Sequence, residues 1–170
     1  MKKNIYNIIY MSKIFNVYLN STQKISGNNN DATYFIDWSS VLPRAKYRCS
    51  FIFTQTGSNV SSNAGNFENC PALLYFNPGC NSNFLYNSTS RTLNCTSIVG
   101  MLNFIQIGTV GKGYLYSDKN TNQSFFFNNA ILNNTINIKI LLLDGTTLWA
   151  DKNATQPVDY IICFSFELID

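Results

Sequence analysis

Residues 160–168 of this chain read Tyr160-Ile161-Ile162-Cys163-Phe164-Ser165-Phe166-Glu167-Leu168. A large apolar side chain stands at every second position from Tyr160 to Leu168. Successive side chains of a β-strand point to opposite faces of the sheet, so one face of this segment is wholly apolar. The stretch therefore predicts a strand with one face in a core and the other face outward.

Three other segments repeat this alternation. Their apolar faces hold Phe15, Val17 and Leu19; Tyr47, Cys49, Phe51 and Phe53; and Ile136, Ile138, Ile140 and Leu142. Weaker strand patterns cover Thr33–Asp37, Ala72–Phe76, Ser97–Ile107, Gly113–Tyr116 and Gln123–Asn128. Turn-forming clusters separate them, among them residues 26–30, and residues 39–42 suit one helical turn ended by Pro43. About nine strands at this spacing predict an all-β sandwich or barrel.

The chain has the length of one domain. It has 170 residues, of which 45% are hydrophobic, and neither an internal repeat nor a linker divides it. We expect a single domain over residues 13–170 and a short N-terminal arm over residues 1–12. Asn4 and Asn7 interrupt the apolar patch of that arm, so it does not fit a signal peptide. No apolar run approaches the roughly 20 residues of a membrane-spanning helix.

The composition is poor in charge and rich in amides. Charged residues make up 12% of the chain, about half the usual share, whereas asparagine occurs 25 times. The abundant Asn, Ile, Lys, Tyr and Phe are all encoded by AT-rich codons, so a low-GC genome accounts for this bias. A net charge of +3 is too small to indicate a nucleic-acid partner.

The absence of histidine argues against catalysis. It removes the commonest general base and the usual catalytic triads. A two-carboxylate hydrolase would have to use acidic residues in loops, and the candidates are Asp37, Glu68, Asp118 and Asp144. Acidic residues in turns usually stabilise the turn, so we expect no enzymatic activity. Residues 108–113 resemble a phosphate-binding loop, but Gln106 and Gly113 occupy two positions where that motif needs Gly and Ser or Thr.

The cysteines do not follow a metal-site spacing. They stand at Cys49, Cys70, Cys80, Cys95 and Cys163, without a C-x-x-C pair. We therefore expect neither a zinc site nor a cofactor. Cys49 and Cys163 lie within strand patterns and are expected to be buried. Cys70 and Cys80 bracket a short loop that a disulfide could close, although an odd number of cysteines favours a reducing compartment such as the cytoplasm.

Two patterns supply candidate interaction residues. Arg44, Lys46 and Arg48 share the outward face of one predicted strand. They form either a basic stripe for an acidic partner or a solvated strand face, and we favour the solvated face. Two regions rich in Asn and Tyr suit subunit contacts or sugar binding, and their tyrosines are Tyr75, Tyr86, Tyr114 and Tyr116.

The order of strands and turns in the N-terminal third is recognisable. Residues 15–21 are followed by a polar turn, by residues 30–38, by Leu42-Pro43 and by residues 46–53. Together with residues 160–168, this order resembles the small single jelly-roll capsid proteins of nucleocytoplasmic large DNA viruses. The resemblance covers about half of the chain and is a pattern of strands and turns. It implies a single jelly-roll β-sandwich of about 8–9 antiparallel strands.

The resemblance also implies a structural function. A protein of this kind is a minor capsid protein beneath or between capsomers, or a penton subunit, which would form a pentamer. The implied partners are the major capsid protein and other minor capsid proteins, and the implied location is the virion, assembled in the host cytoplasm. A second interpretation stays open. Jelly-roll domains also serve as recognition modules that bind glycans or receptors, trimeric lectins among them.

Overall fold

A computed structural model describes residues 13–55, 72–78, 84–87, 92–95, 97–102, 104–107, 114–117, 124–129, 133–148 and 159–169. The strands are β1 (Ile14–Asn20), β2 (Ser26–Asn28), β3 (Asp31–Phe35), β4 (Lys46–Gln55), β5 (Ala72–Phe76), β6 (Phe84–Asn87), β7 (Thr92–Cys95), β8 (Ile98–Leu102), β9 (Phe104–Ile107), β10 (Tyr114–Ser117), β11 (Phe125–Asn128), β12 (Thr135–Leu141) and β13 (Tyr160–Ile169). One 3-10 turn, Ser21–Gln23, follows β1, and the four-residue helix α1 (Trp38–Val41) precedes β4. Within these ranges no helix is long and apolar enough to cross a membrane.

Two antiparallel sheets carry the fold, which confirms the predicted all-β sandwich. The six-stranded sheet has the order β1-β13-β4-β10-β9. Its sixth strand, β11, pairs with the first residues of β4, whereas β10 pairs with residues near the end of β4. The five-stranded sheet has the order β2-β3-β12-β5-β8. Strands β6 and β7 pair with each other in a separate two-stranded sheet.

The strand pairs are nested along the chain. Strand β1 pairs with β13, β3 with β12, β4 with β11, and β5 with β8, and every pair is antiparallel. From the outermost pair to the innermost, successive pairs alternate between the six-stranded and the five-stranded sheet. Strand β13 lies between β1 and β4 and pairs with β4 from Lys46 to Gln55.

Aromatic side chains of both sheets fill the space between them. The inward residues of β4 and β13 are buried as predicted, namely Tyr47, Cys49, Phe51, Phe53, Tyr160, Ile162, Phe164 and Phe166. Phe76 of the five-stranded sheet stacks on Phe164 of the six-stranded sheet, with ring centroids 4.7 Å apart. Contacts between rings at such distances add to the free energy gained by burying their area. The inward-facing aromatic side chains of the two sheets therefore form the centre of the core.

Asn129 fixes the corner at which the chain enters β4. Its amide group donates hydrogen bonds to the carbonyls of Leu42 at 2.7 Å and Pro43 at 2.8 Å. The hydroxyl of Tyr47 donates to the same Pro43 carbonyl at 2.8 Å. The Asn129 side chain is buried, so these bonds satisfy polar groups that water does not reach.

The structure differs from the sequence predictions at several points. Cys163, expected to be buried, is only half-buried, because the even-numbered residues of β13 face the core. Leu142, expected on the inward face, lies beyond the end of β12 and is exposed. Residues 26–30, expected to be a turn, form β2 and a two-residue turn that leads into β3. The predicted arm 1–12, the Cys70–Cys80 bridge and the loop 108–113 lie outside the described residues.

Candidate interaction site

A groove of about 330 Å³ lies on the outer face of the six-stranded sheet. Its lining residues come from β1, β4, β13 and the residue before β11. They are Ile14, Asn16, Arg48, Cys49, Ser50, Ser124, Ser165 and Glu167. The Cys49 side chain belongs to the core, and the others project from the outer side of the sheet. These residues define the outer groove.

A row of uncharged polar side chains crosses the outer groove. Asn16, Ser165 and Ser50 stand opposite one another on β1, β13 and β4. The hydroxyl of Ser165 donates a hydrogen bond to Oδ1 of Asn16 at 2.8 Å. Amides and hydroxyls both donate and accept hydrogen bonds. The row can therefore bind an uncharged polar ligand or the amide-rich surface of a neighbouring protein.

The adjacent row combines charged and apolar side chains. Glu167 of β13 stands between Ile14 of β1 and Arg48 of β4, and Arg48 also faces Phe126 of β11. Residues paired in this way have Cβ atoms about 4.5–5.5 Å apart, so the acidic and basic side chains are neighbours. Ile14 is 58% exposed and Phe126 is 50% exposed. The row is neutral on balance and apolar at both ends, which suits contact with another protein.

Tyr18 extends this surface along β1. Its side chain is 65% exposed and faces Cys163 across the sheet. A hydrogen bond with the Cys163 thiol raises the pKa of the Tyr18 phenol above its usual value. The phenol therefore stays neutral at physiological pH and offers a ring together with a hydroxyl group.

The predicted basic residues are only partly brought together. Arg48 lines the outer groove, and Lys46 is exposed two positions earlier on the same face of β4. Strand β4 begins at Lys46, so Arg44 is exposed in the preceding bend. The outward strand face therefore holds Lys46 and Arg48 but does not extend to Arg44. With Glu167 beside Arg48, this face is a mixed-charge surface rather than a basic stripe.

Tyr75 lies on the opposite side of the molecule. It belongs to β5 of the five-stranded sheet, where it is paired in register with Lys139. The Lys139 ammonium lies 5.9 Å from the centre of the Tyr75 ring, and it also forms an ion pair with Asp31 at 3.3 Å. Tyr75 is thus engaged by its own sheet and does not contribute to the outer groove.

The other three predicted tyrosines lie on further elements. Tyr114 and Tyr116 belong to β10, and Tyr116 pairs in register with Thr54 near the far end of β4 from Arg48. Tyr86 belongs to β6 in the separate two-stranded sheet. The seven predicted interaction residues therefore do not form one site.

Two of the acidic residues considered for hydrolysis stabilise turns. Asp37 accepts hydrogen bonds from the hydroxyls of Ser39 and Ser40, each at 2.6 Å, and these bonds lower its pKa. A general acid of a glycosidase needs a raised pKa instead. The Asp37 carboxylate is therefore held by two serine hydroxyls at the start of α1.

Asp144 has the corresponding role in the turn after β12. It accepts hydrogen bonds from the hydroxyl of Thr147 and from the backbone amides of Thr147 and Thr146, which lower its pKa to about 2. A carboxylate held ionised in this way shapes the turn rather than donating a proton. Glu68 and Asp118 lie outside the described residues.

Ile14 and Phe126, the apolar members of the outer face, were not among the predicted interaction residues. Phe126 is the middle residue of Phe125-Phe126-Phe127, and both neighbours are buried in the core. In a strand the middle residue must then point outward. That signal was present in the sequence, although the position of Phe126 beside Arg48 depends on the pairing of two remote segments.

The outer groove offers binding chemistry. It presents hydroxyls, one amide, one guanidinium and one carboxylate. Across the ranges that the structure describes, no group of three or more His, Cys, Asp or Glu side chains could hold a metal ion. No protein-family model matches this chain, and no curated protein is significantly similar to it in sequence. Its function must therefore be inferred from the fold and from the chemistry of its surfaces.

Proposed function

We propose that this chain is a structural subunit of a large icosahedral viral capsid, with a single jelly-roll fold. It packs against the major capsid protein as a minor capsid or penton component. The nested strand order is the observation that carries the proposal. A jelly roll has eight strands in two sheets. The strands β1, β3, β4, β5, β8, β11, β12 and β13 provide four nested pairs that alternate between two sheets.

The outer face of the six-stranded sheet supports an assembly role. Jelly-roll folds occur both in capsid proteins and in lectins, so the fold alone does not decide between these functions and the chemistry of the surface must. Exposed Ile14, Tyr18 and Phe126 accompany amides and hydroxyls on this face, and Arg48 is balanced by Glu167. Burying such a surface costs less desolvation free energy than burying unpaired charges. Aromatic side chains are also enriched where proteins bind each other.

The resemblance to small capsid proteins of nucleocytoplasmic large DNA viruses supports the viral assignment, and it lies in residues 15–21, 30–38, 42–43, 46–53 and 160–168. On this proposal the protein resides in the virion and is assembled in the host cytoplasm. Its partners are the major capsid protein and other minor capsid proteins. A penton subunit would form pentamers at the five-fold vertices, whereas a minor capsid protein would lie between or beneath capsomers.

Mass spectrometry of purified particles of the virus whose genome encodes this chain tests the proposal directly. We expect the protein in every preparation, at a constant ratio to the major capsid protein. A second readout is cryo-electron microscopy of the same particles, in which the chain should occupy icosahedrally ordered density. Absence of the protein from purified particles would overturn the capsid function.

A matched pair of phenylalanine variants locates the contact surface. Phe126→Asp places a charge on the outer face of the six-stranded sheet, and Phe35→Asp places one on the five-stranded sheet. Both side chains are exposed, at 50% and 61%, so both variants should fold. We expect incorporation of Phe126→Asp into particles to fall about tenfold or more, because the variant loses the aromatic contact and the added carboxylate must be desolvated when this face is buried. Equal incorporation of the two variants would contradict an interface at the outer groove.

Glycan recognition is a second candidate function that the outer groove supports. The row of Asn16, Ser165 and Ser50 supplies donors and acceptors of the kind that bind sugar hydroxyls. A glycan array probed with the wild-type chain and with an Asn16→Ala, Ser165→Ala double variant tests this function. We expect any signal of the wild type to disappear in the double variant and to persist in Asn28→Ala, a control on exposed β2. No wild-type signal above background would remove this candidate.

A further inference from the structure

Strand β1 forms an open edge of the six-stranded sheet. Among the described residues, its hydrogen-bonded neighbour lies on one side only and is β13. The backbone amide of Leu168 donates to the carbonyl of Lys13 at 3.1 Å. Because antiparallel partners alternate between bonded and non-bonded pairs, the backbone groups of Ile14, Asn16 and Tyr18 then point to the open side. These groups form a regular row of donors and acceptors.

This edge lacks the features that usually prevent strands from pairing. Natural edge strands are blocked by lysine, proline, bulges or inward charges. Strand β1 holds no charged residue and no proline from Ile14 to Asn20, and its register with β13 is continuous. Ile14 and Tyr18 are exposed on its outer side, and Phe15 and Val17 are only partly buried on its inner side. The edge is therefore uncharged, apolar on its inner face and mixed apolar and amide on its outer face, and among the described residues it is open to a further strand.

We propose that β1 is the site where a second copy of this chain binds. The copy pairs its own β1 antiparallel to the first, so the two six-stranded sheets join into one continuous sheet. The interface is isologous, with a two-fold axis that relates the copies. This proposal concerns the sheet edge alone and does not depend on the capsid function.

The sequence of β1 is complementary to itself in this arrangement. A register centred on Val17 matches all seven residues of β1 with seven residues of the copy. It sets Val17 beside Val17 of the second copy, and Phe15 beside Leu19 of the second copy. Phe15 and Val17, which are partly buried in one copy, then gain further cover from the second copy, as cross-strand apolar pairs do. The two Lys13 side chains lie at opposite ends of the paired strands, where they do not repel each other.

A second copy is favoured over a charged partner by the character of the edge. A charged partner binds most favourably to a surface of opposite charge, and β1 has no charged side chain between Ile14 and Asn20. Seven paired residues make an interface smaller than the roughly 1,200–2,000 Å² of stable complexes. We therefore expect reversible association, with a dissociation constant on the order of 10–100 μM.

Sedimentation velocity of the full chain tests the proposal. The protein concentration runs from about 1 to 500 μM, a range that brackets the expected dissociation constant. The wild type should pass from monomer to dimer across this range. Tyr18→Lys introduces the charge that protects natural edges, and it should weaken association about tenfold or more. Phe35→Lys is the matched control, because Phe35 is an equally exposed aromatic residue in the other sheet. It should associate as the wild type does.

A second pair of variants separates backbone pairing from side-chain contact. Asn16→Pro removes a backbone amide that faces the open side, and it should abolish the dimer. Asn16→Ala removes the same side chain but keeps that amide, and it should still form the dimer. Circular dichroism melting curves show whether each variant is folded, so loss of dimer can be distinguished from loss of fold.

Three results would overturn the proposal. One is a wild type that remains monomeric at about 500 μM, the highest concentration in the series. Another is a dimer that tolerates both Tyr18→Lys and Asn16→Pro. The third concerns residues 1–12, which precede β1 in the chain. A chain that dimerises only after deletion of residues 1–12 would assign the edge to its own N-terminal segment. None of these results would alter the expected presence of the protein in virus particles.

Discussion

Single polar side chains hold the loops of this sandwich to its sheets. The hydroxyl of Ser21 donates to Asp159 at 3.1 Å and accepts from the backbone amide of Tyr160 at 2.9 Å. The amide of Asn29 donates to the same Asp159 carboxylate at 3.0 Å. Ser21 and Asn29 are buried, so each of these groups depends on its partner rather than on water. This network ties the loop after β1 to the start of β13.

Replacement of Asn129 by alanine should lower the free energy of unfolding by about 1–3 kcal/mol. The variant leaves the buried carbonyl of Leu42 without the amide that donates to it. Urea denaturation monitored by circular dichroism measures the change. Asn28→Ala is the control, because Asn28 is exposed on β2 and its loss should cost less than about 0.5 kcal/mol. Equal losses in the two variants would contradict the role assigned to Asn129.

The stability of the turn after β12 should depend on acid pH. Hydrogen bonds to Asp144 lower its pKa from 3.8 in the unfolded chain to about 2. A lowered pKa in the folded state means that Asp144 stabilises the fold above the unfolded pKa and loses this effect as pH falls toward the folded pKa. The melting temperature of Asp144→Asn should therefore lie below that of the wild type at neutral pH.

The difference between the two melting temperatures should shrink as pH falls from about 4 to about 2, where both pKa values have been reached. Thermal melts at several pH values provide the measurement. A difference that stays constant over this range would mean that the Asp144 charge does not contribute to stability.

Elements with one apolar face could be predicted from the sequence. The alternating pattern over Tyr160–Leu168 matches β13, Tyr160–Ile169. The continuous apolar run Ala72–Phe76 matches β5 without change, although four of its five residues are buried and both faces are covered. Strand β2 could not be recognised, because its residues Ser26–Asn28 are all exposed and carry no alternation. It is a strand through its backbone pairing with β3. The pattern over Ser97–Ile107 predicts one strand, whereas the structure has two, β8 and β9, in this range.

The outer groove could be predicted only in part. Alternation along β4 places Lys46 and Arg48 on the outward face, and the same reasoning applies to Ser165 and Glu167 on β13. The sequence does not indicate that these two strands are neighbours or that Phe126 stands beside Arg48. Those contacts depend on pairing between segments remote in sequence, which the energetics of the whole core decides.

Gly27→Ala should destabilise the β2–β3 hairpin. Gly27 has a φ of 85°, and a methyl group at this position would collide with the backbone carbonyl of Asp31. A residue forced into such a conformation costs about 1–3 kcal/mol, to which the collision adds. Chemical denaturation measures the loss against Ser26→Ala, a neighbouring exposed residue of the same strand. Unchanged stability in Gly27→Ala would show that the hairpin can shift without cost.

The outermost strand pair joins segments that lie far apart in the sequence. Phe15 pairs with Phe166 in the outermost strand pair, and the remaining pairs lie within this one. Bringing β1 and β13 together closes a loop that contains all the other described strands, and this closure costs chain entropy before any contact across the loop stabilises the fold. The topology therefore favours slow formation of the native sheets.

We expect the chain to refold on a timescale of about milliseconds to seconds or longer, as sandwiches with remote pairing do. Stopped-flow dilution out of urea, followed by tryptophan fluorescence, provides the measurement. Trp38 is a suitable probe because it is buried against Phe127 and Phe166 in the core. Completion of refolding within microseconds would be inconsistent with the nested pairing of the strands.

The central position of β13 also has a consequence for protein synthesis. A ribosome makes β1 and β4 early, but the strand that joins them comes after all the other described elements. Until Tyr160–Ile169 has been translated, both strands expose backbone edges and apolar faces of the kind that chaperones and proteases recognise. A polypeptide truncated before this segment cannot close its larger sheet. A truncated chain is therefore distinguished by the unpaired edge of β4, which β13 covers from Lys46 to Gln55 in the folded molecule.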